Sequence, residues 1–531
     1  MEGVSGLTPP PASTRWRGRR RARPAPWWLV LTVAGVAVFL AVPLVSVAYQ
    51  AIDAGSTTIH RVLSGPLLPT LLVHTVQLTA IVSVGCGVLG LGSAWLVERT
   101  SLPGRRAFAV LLLLPLAVPE FVAGYSWVSL VPSIRGLGGA SLVMTLALYP
   151  LVYLPVAASL RRSDPALDEI AQALGIGPVG RFFRVTLPAV SRPLVGGMLL
   201  VGLYLLAEYG AFAVLRYQTF ATAIYTQYRL GFDGQAASVL TLVLCLIGVI
   251  LLMGESRVGR SSFPGRESGR PAHRARLGRA TPVAWLGLLV LIGASIGVPV
   301  GSVIYWMIRG SSTTLPSASV LTTTIQTLAL GAAAAGVATA LALPVAVLTV
   351  RHKGRFSVGV ERTAYLDRAL PGIAIGLTLV TITVHHLHPL YQTRVLLEAA
   401  YVLLFFPLAL VAVRAAVARV PPELDDAARS LGASPFRVIR RVTIPLVLPG
   451  LAAAATLVWL SATTELTATL LLRPTGLQTL ATQFWVYTTG LAYGAAAPYA
   501  AIMIAVSVLP VLLLARVARG APRRGHRPPI R

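Results

Sequence analysis

Residues 165–188 read PALDEIAQALGIGPVGRFFRVTLP, and residues 422–445 read PELDDAARSLGASPFRVIRRVTIP. At an offset of 257 residues, 11 of the 24 positions are identical: Pro165/Pro422, Leu167/Leu424, Asp168/Asp425, Ala171/Ala428, Leu174/Leu431, Gly175/Gly432, Pro178/Pro435, Arg184/Arg441, Val185/Val442, Thr186/Thr443 and Pro188/Pro445. Ordinary residue frequencies give about one or two such matches. A polar, basic, glycine-punctuated segment is thus kept twice in a chain of 531 residues that is 55% hydrophobic and only 12% charged. Such doubling marks two equivalent halves that present the same surface to the same kind of partner.

The stretches around the two copies set the class. WWLVLTVAGVAVFLAVPLVSVAYQ (27–50) and LTLVLCLIGVILLMG (240–254) carry no polar stripe at helical spacing, so neither is the face of a soluble helix. A hydrocarbon core of about 30 Å needs about 20 apolar residues in a helix. The chain therefore reads as an all-α polytopic membrane protein. Helices are expected near 27–50, 71–97, 108–131, 140–160, 193–214, 237–254, 282–308, 322–349, 364–384, 396–417, 447–466 and 496–515.

The net charge of +27 points at first to nucleic acid. Placement argues against it. When the loops alternate from a cytoplasmic N-terminus, 37 of the 45 basic residues fall on the inner side. The positive-inside rule accounts for this with no nucleic-acid partner, and one span more or fewer would scramble it. Lys353 is the sole lysine, a bias toward arginine rather than chemistry. The two cysteines, Cys86 and Cys245, sit inside expected helices and read as small apolar fillers.

The Arg-rich segment 255–281 divides the chain into two sets of six spans. Six is even, so the halves enter from the same side as parallel repeats. The expected organisation is a disordered basic tail (1–26), a first half (27–254), the cytoplasmic linker (255–281), a second half (282–516) and a cytoplasmic tail (517–531). The first apolar run is too long for a cleaved signal, so it is read as an uncleaved first helix. The repeat extends past the opening segment: Glu208 maps onto Glu465 and Arg216 onto Arg473.

Each copy of the doubled segment reads as a helix–glycine–helix elbow. Asp168 and Glu169, or Asp425 and Asp426, place negative charge in a first helical turn. Ala171 with Leu174, and Ala428 with Leu431, give an apolar edge at i, i+3 spacing. Gly175 and Gly432 end the helix, because glycine accepts the left-handed cap conformation. Two such elbows on one chain suit a two-lobed cytoplasmic partner.

The pattern acid-x-Ala-x-x-Leu-Gly, followed by a hydrophobic residue and proline, resembles the EAA motif of ABC importer permeases. The first copy reads Asp168-Glu169-Ile170-Ala171 and the second Asp425-Asp426-Ala427-Ala428, so the acid and the last alanine are kept. The resemblance covers roughly 70–255 and 320–515. ELTATLLLRPTGLQTLATQFW (465–485) and EYGAFAVLRYQTFATAIYTQY (208–228) are similar to stretches of the fused iron(III)-type permeases, which group with relatives for thiamine, phosphonates and polyamines. The resemblance implies that each elbow is a coupling helix seated on an ATP-binding subunit. It implies two copies of that subunit, an extracytoplasmic solute-binding protein and a multi-pass place in a bacterial inner membrane, with both termini cytoplasmic and membrane lipid around the helices.

No catalytic centre, cofactor or metal site is expected. Lys353 lies in His-Lys-Gly rather than a phosphate-cradling loop, so ATP hydrolysis belongs to another polypeptide. Glu208 and Glu465 lie toward the ends of apolar helices, where a carboxylate lines a pathway or gate, or else bonds a helix end or Arg216 or Arg473. Asp367 and Arg368 fall inside an expected span and need separate partners. His385, His386 and His388 read as a solvated outer turn rather than a metal site. Trp485 and Tyr487 read as interfacial anchors. An ion-coupled secondary transporter also accommodates twelve helices, with the acids as ion relays. The doubled elbow speaks against it.

Overall fold

A computed structural model describes residues 25–162, 166–260, 274–275, 277–310, 318–352 and 354–518. The N-terminal tail expected to be disordered and the C-terminal tail lie almost wholly outside these residues, as do Pro165, Lys353 and most of the linker. The described residues form helices and no strand, apart from one isolated bridge between Thr100 and Ala275.

Among the described residues ten helices are long and apolar enough to cross a membrane, and two bent helix pairs bring the number to twelve if each pair is one span. The expected continuous spans 108–131 and 364–384 are these two. Arg105–Ala117 meets Glu120–Leu130 at 90°, and Arg355–Asp367 meets Gly372–His385 at 103°. Pro119 (ψ 141°) and Pro371 (ψ 154°) are extended at the two breaks. A proline cannot donate an amide to the preceding turn, and it restricts the residue before it. The expected span 193–214 also stops early, at Ala207, and a short helix Gly210–Val214 follows. The linker was expected to begin at 255, but helix Gly234–Arg260 runs into it, and the next long helix starts at Thr281.

Uniform apolarity conceals a packing stripe. In helix Trp27–Asp53 the buried residues are Leu29, Val33, Val36, Leu40, Pro43, Val47 and Ala51, recurring every three or four positions. Leu31, Val38, Val45 and Ile52 between them are exposed, as a lipid-facing flank requires. Where helices cross closely, glycine makes room. A Cβ on Gly90 would stand 2.8 Å from Val152 Cβ, and one on Gly331 would stand 2.9 Å from Thr463 Cγ2.

The halves are interlocked. The leading helix Trp27–Asp53 packs against Ala318–Arg351, Arg355–Asp367 and Gly372–His385 of the second half. Reciprocally, Val298–Arg309 of the second half packs against Glu120–Leu130 of the first, where Ser129 Oγ and Ser302 Oγ are 3.1 Å apart. Gly248 of the first half touches the break in the second: a Cβ there would lie 2.6 Å from the Ala369 carbonyl oxygen.

Candidate functional site

The two elbows share one construction. The first helix spans Ala166–Ala173 and the second Pro422–Ser430. Gly175 (φ +74°) and Gly432 (φ +82°) then adopt the left-handed conformation. The Ile176 amide donates to the Ala171 carbonyl at 3.0 Å and the Gly175 amide to Gln172 at 3.0 Å. In the second copy Ala433 donates to Ala428 at 3.1 Å and Gly432 to Arg429 at 2.9 Å. Both are the paired cap bonds that only a left-handed residue closes. After each elbow comes a single π-helical turn, Phe182–Thr186 or Ile439–Thr443, before the chain enters the next span.

The exposed edge differs from the expected one. Ala171 is buried, so it does not share a surface with Leu174. The large apolar side chains exposed on the first elbow's leading helix and its cap are Leu167, Ile170 and Leu174, at i, i+3, i+7. The second elbow repeats this with Leu424, Ala427 and Leu431 at the same offset. Leu174 is 73% exposed and Leu431 is 88% exposed. Water penalises such leucines unless something covers them. Asp168 is half-buried and Glu169 exposed; Asp426 and Ala428 are half-buried.

Sequence reading missed what fastens the elbows. Asp425 is buried, its Oδ2 lying 3.2 Å from Arg351 Nε at the end of helix Ala318–Arg351. Arg351 Nη2 also donates to the Val420 carbonyl at 2.8 Å, and Thr443 Oγ1 donates to Asp425 Oδ1 at 3.4 Å. One arginine thus ties the elbow's entry, its acid and a membrane helix together. In the first half, Arg99 occupies the same place at the end of Leu67–Arg99 and feels the Asp168 carboxylate. Both arginines had counted only as inner-side charge. His352, just beyond the span, lies beside this anchor. Burial pushes its imidazole below the ordinary 6.5, Arg429 and Arg351 push the same way, and Asp425 opposes them.

The elbows share one end of the bundle. Trp28, at the start of the leading helix, stacks edge-on against Phe436 of the second elbow, with ring centroids 6.1 Å apart. Linker residue Ala275 exchanges backbone bonds with Arg99 and Ser101 at 2.9 and 3.0 Å, beside the first elbow's anchor.

Deeper in the bundle, the starts of three short helices converge. Glu208 Oε1 accepts the Ala211 amide at 2.6 Å, and Glu465 Oε1 accepts the Ala468 amide at 2.6 Å. Each carboxylate caps the helix that follows it, where the helix dipole favours negative charge. Glu208 is therefore partnered by backbone rather than by Arg216. Glu120, missed by the sequence reading, is the sole acid of the broken span and opens its second segment. A Cβ on Gly210 would lie 2.8 Å from both Leu466 Cδ2 and Phe121 Cβ, so these helix starts abut across the two halves. Accordingly Glu120 and Glu465 act electrostatically on Glu208. At the position matching Glu120 the second half has Gly372, and a Cβ there would stand 3.2 Å from Glu465 Oε1.

The remaining residues fall outside both clusters. Asp367 is buried at the bend, and its carboxylate oxygens carry no hydrogen bond; Arg368 lies 3.7 Å from Glu255. Trp485 packs 5.5 Å from Tyr209 of the other half, and Tyr487 stacks on Tyr499. Among the described residues no group of His, Cys, Asp and Glu is arranged to hold a metal.

Residues 338–522 match the family described as "Binding-protein-dependent transport system inner membrane component". The chain is 35% identical to the Fe(3+)-transport system permease protein FbpB 2 of Haemophilus influenzae over 504 residues, covering 93% of this chain and 99% of that protein. It is 28% identical to the sulfate transport system permease protein CysW of Synechocystis over 42% of this chain and 89% of the relative. It is 29% identical to a probable molybdenum ABC transporter permease protein of Haloferax volcanii, covering 45% of this chain and 94% of that one. The last two relatives are thus matched almost whole by less than half of this chain.

Proposed function

The chain belongs to the inner-membrane permeases of binding-protein-dependent transport systems, and on that premise we propose that it is the fused, two-unit permease of an ATP-driven importer for iron(III). The units are 27–254 and 282–516, joined by 255–281. The near full-length likeness to an Fe(3+) permease supports the cargo, and the half-length relatives support the division. Two copies of an ATP-binding subunit dock on the elbows, and a solute-binding protein delivers cargo at the opposite face. Both termini then lie in the cytoplasm of a bacterial cell.

The observation that carries this reading is the pair of elbows. They share one cap geometry and one exposed leucine edge at matched positions of the two halves. ATP binding draws the two subunits together, and Asp168, Glu169, Ala171, Leu174 and Gly175, with Asp425, Asp426, Ala428, Leu431 and Gly432, pass that closure to the membrane helices. Arg99 and Arg351 are the attachment points. Glu208 and Glu465 gate the path, with Glu120 beside them: motion of the elbows shifts the helix starts those carboxylates cap.

The test reconstitutes the chain with its ATP-binding subunit and binding protein and follows hydrolysis and uptake together. Gly175→Pro with Gly432→Pro removes the amides that close both caps. Hydrolysis is expected to continue while iron(III) uptake stops. Retained uptake in the double variant overturns the coupling role, and uptake from a sulfate-loaded but not an iron-loaded binding protein overturns the cargo.

A further inference from the structure

A groove of about 520 Å³ runs along the outside of the bundle, between the leading helix Trp27–Asp53 and helix Gly372–His385 of the other half. Val38, Ala41, Val42 and Val45 make its first stretch apolar. Asp53, Tyr49, His385 and His386 make its far end polar. That end is the one away from the elbows, because the same helix begins at Trp28 against Phe436.

Its dimensions match one lipid. The apolar stretch from Val38 to Ser46 rises about 12 Å at about 1.5 Å per residue. One leaflet contributes about 15 Å of hydrocarbon. The polar lining thus begins where a headgroup sits.

Its charge selects the headgroup. Asp53 is the one formally charged side chain in the lining. His385 Nδ1 lies 2.9 Å from the Thr381 carbonyl, which can only accept, so the imidazole donates there. A carboxylate at the mouth suits an ammonium group, and a net-anionic headgroup meets repulsion from Asp53.

We propose that this groove is a phospholipid site that lays an acyl chain along Val38–Val45 and holds an ammonium headgroup, of the phosphatidylethanolamine type, at Asp53. The lipid bridges the leading helix of one half to the broken span of the other. The site depends only on the chain spanning a bilayer, so it stands apart from the transport reading.

The experiment places the full chain in nanodiscs holding a phosphatidylethanolamine with a photoreactive acyl chain, and maps the adducts by peptide mass spectrometry. Adducts are expected in 38–53 and 381–386, competed by unlabelled phosphatidylethanolamine about 3-fold better than by phosphatidylglycerol, the scale of one partly exposed ion pair. Asp53→Asn, at an exposed helix end, should abolish that preference while adducts persist. Val45→Trp, which fills the groove, should remove the adducts. Labelling spread evenly over other lipid-facing helices overturns the proposal. So does equal competition by phosphatidylglycerol, or 38–53 found crosslinked to a second copy of the chain.

Discussion

Cutting the Arg351–Asp425 tie tests how the second elbow is held. The two side chains are 13% and 12% exposed and 3.2 Å apart. Coulomb's law at an effective dielectric near 20 gives about 5 kcal/mol of gross attraction at that distance. Much of this is offset by desolvation of the two ions, yet removing one partner strands the other. Stranding a buried charge costs about 3–5 kcal/mol, and the slight exposure here argues for the lower end. Arg351→Met also deletes the donor to the Val420 carbonyl and leaves Asp425 the hydrogen bond from Thr443 without its ion pair. If that loss falls on local opening of the elbow, amides of 422–433 should exchange about 100-fold faster, since each 1.4 kcal/mol is tenfold. Hydrogen exchange on the reconstituted chain reads this directly, and the first elbow, 166–177, serves as internal control. The double variant Arg351→Met with Asp425→Leu removes both charges and should recover most of the protection. Unchanged exchange in the single variant, or equal acceleration in both elbows, refutes the reasoning.

Gly248→Ala would press a methyl against the Ala369 carbonyl, a backbone atom that cannot swing aside; a loss of about 1–3 kcal/mol is expected, read as a lower thermal midpoint in detergent. Glu208→Gln with Glu465→Gln keeps an oxygen at each helix start but removes the charge, so the fold should hold while transport changes. Alanine at either site should cost about 1–2 kcal/mol, and equal effects of Gln and Ala on transport and stability would assign the acids to capping alone. The folded chain resists protonating His352, whose pKa lies below 6.5. The opened state takes up that proton first, so the second elbow should loosen as pH falls through about 6.5 and below. Protection factors of 422–433 at successive pH values check this, with His352→Gln flattening the dependence.

The elbows were legible because a repeat exposes itself without any structure: matched Gly175 and Gly432, flanked by matched leucines, can be read from spacing. The breaks at Pro119 and Pro371 were not. Hydropathy continues across both, and proline alone gives no warning, since Pro43, Pro150, Pro155, Pro344 and Pro407 all lie inside unbroken helices. Neighbouring helices decide which prolines bend the chain and which are absorbed. Glu208 and Glu465 were found because a carboxylate in an apolar run is conspicuous. Their bonds to Ala211 and Ala468 were hidden, because the helices they cap were read as stretches of sequence rather than as separate elements. Arg99 and Arg351 were hidden differently: among 45 basic residues, nothing in the sequence separates a structural arginine from one that merely sets topology.

The exchanged leading helices constrain how this molecule can change shape. Each half wears a helix of the other as an outer strap, so the two cannot be drawn apart like the leaves of a book without stripping both straps from their seats. On the importer reading any stroke has to leave both straps seated, so the expected motion is a tilt of the interior helices rather than a parting of the two halves along a seam exposed to the surrounding bilayer.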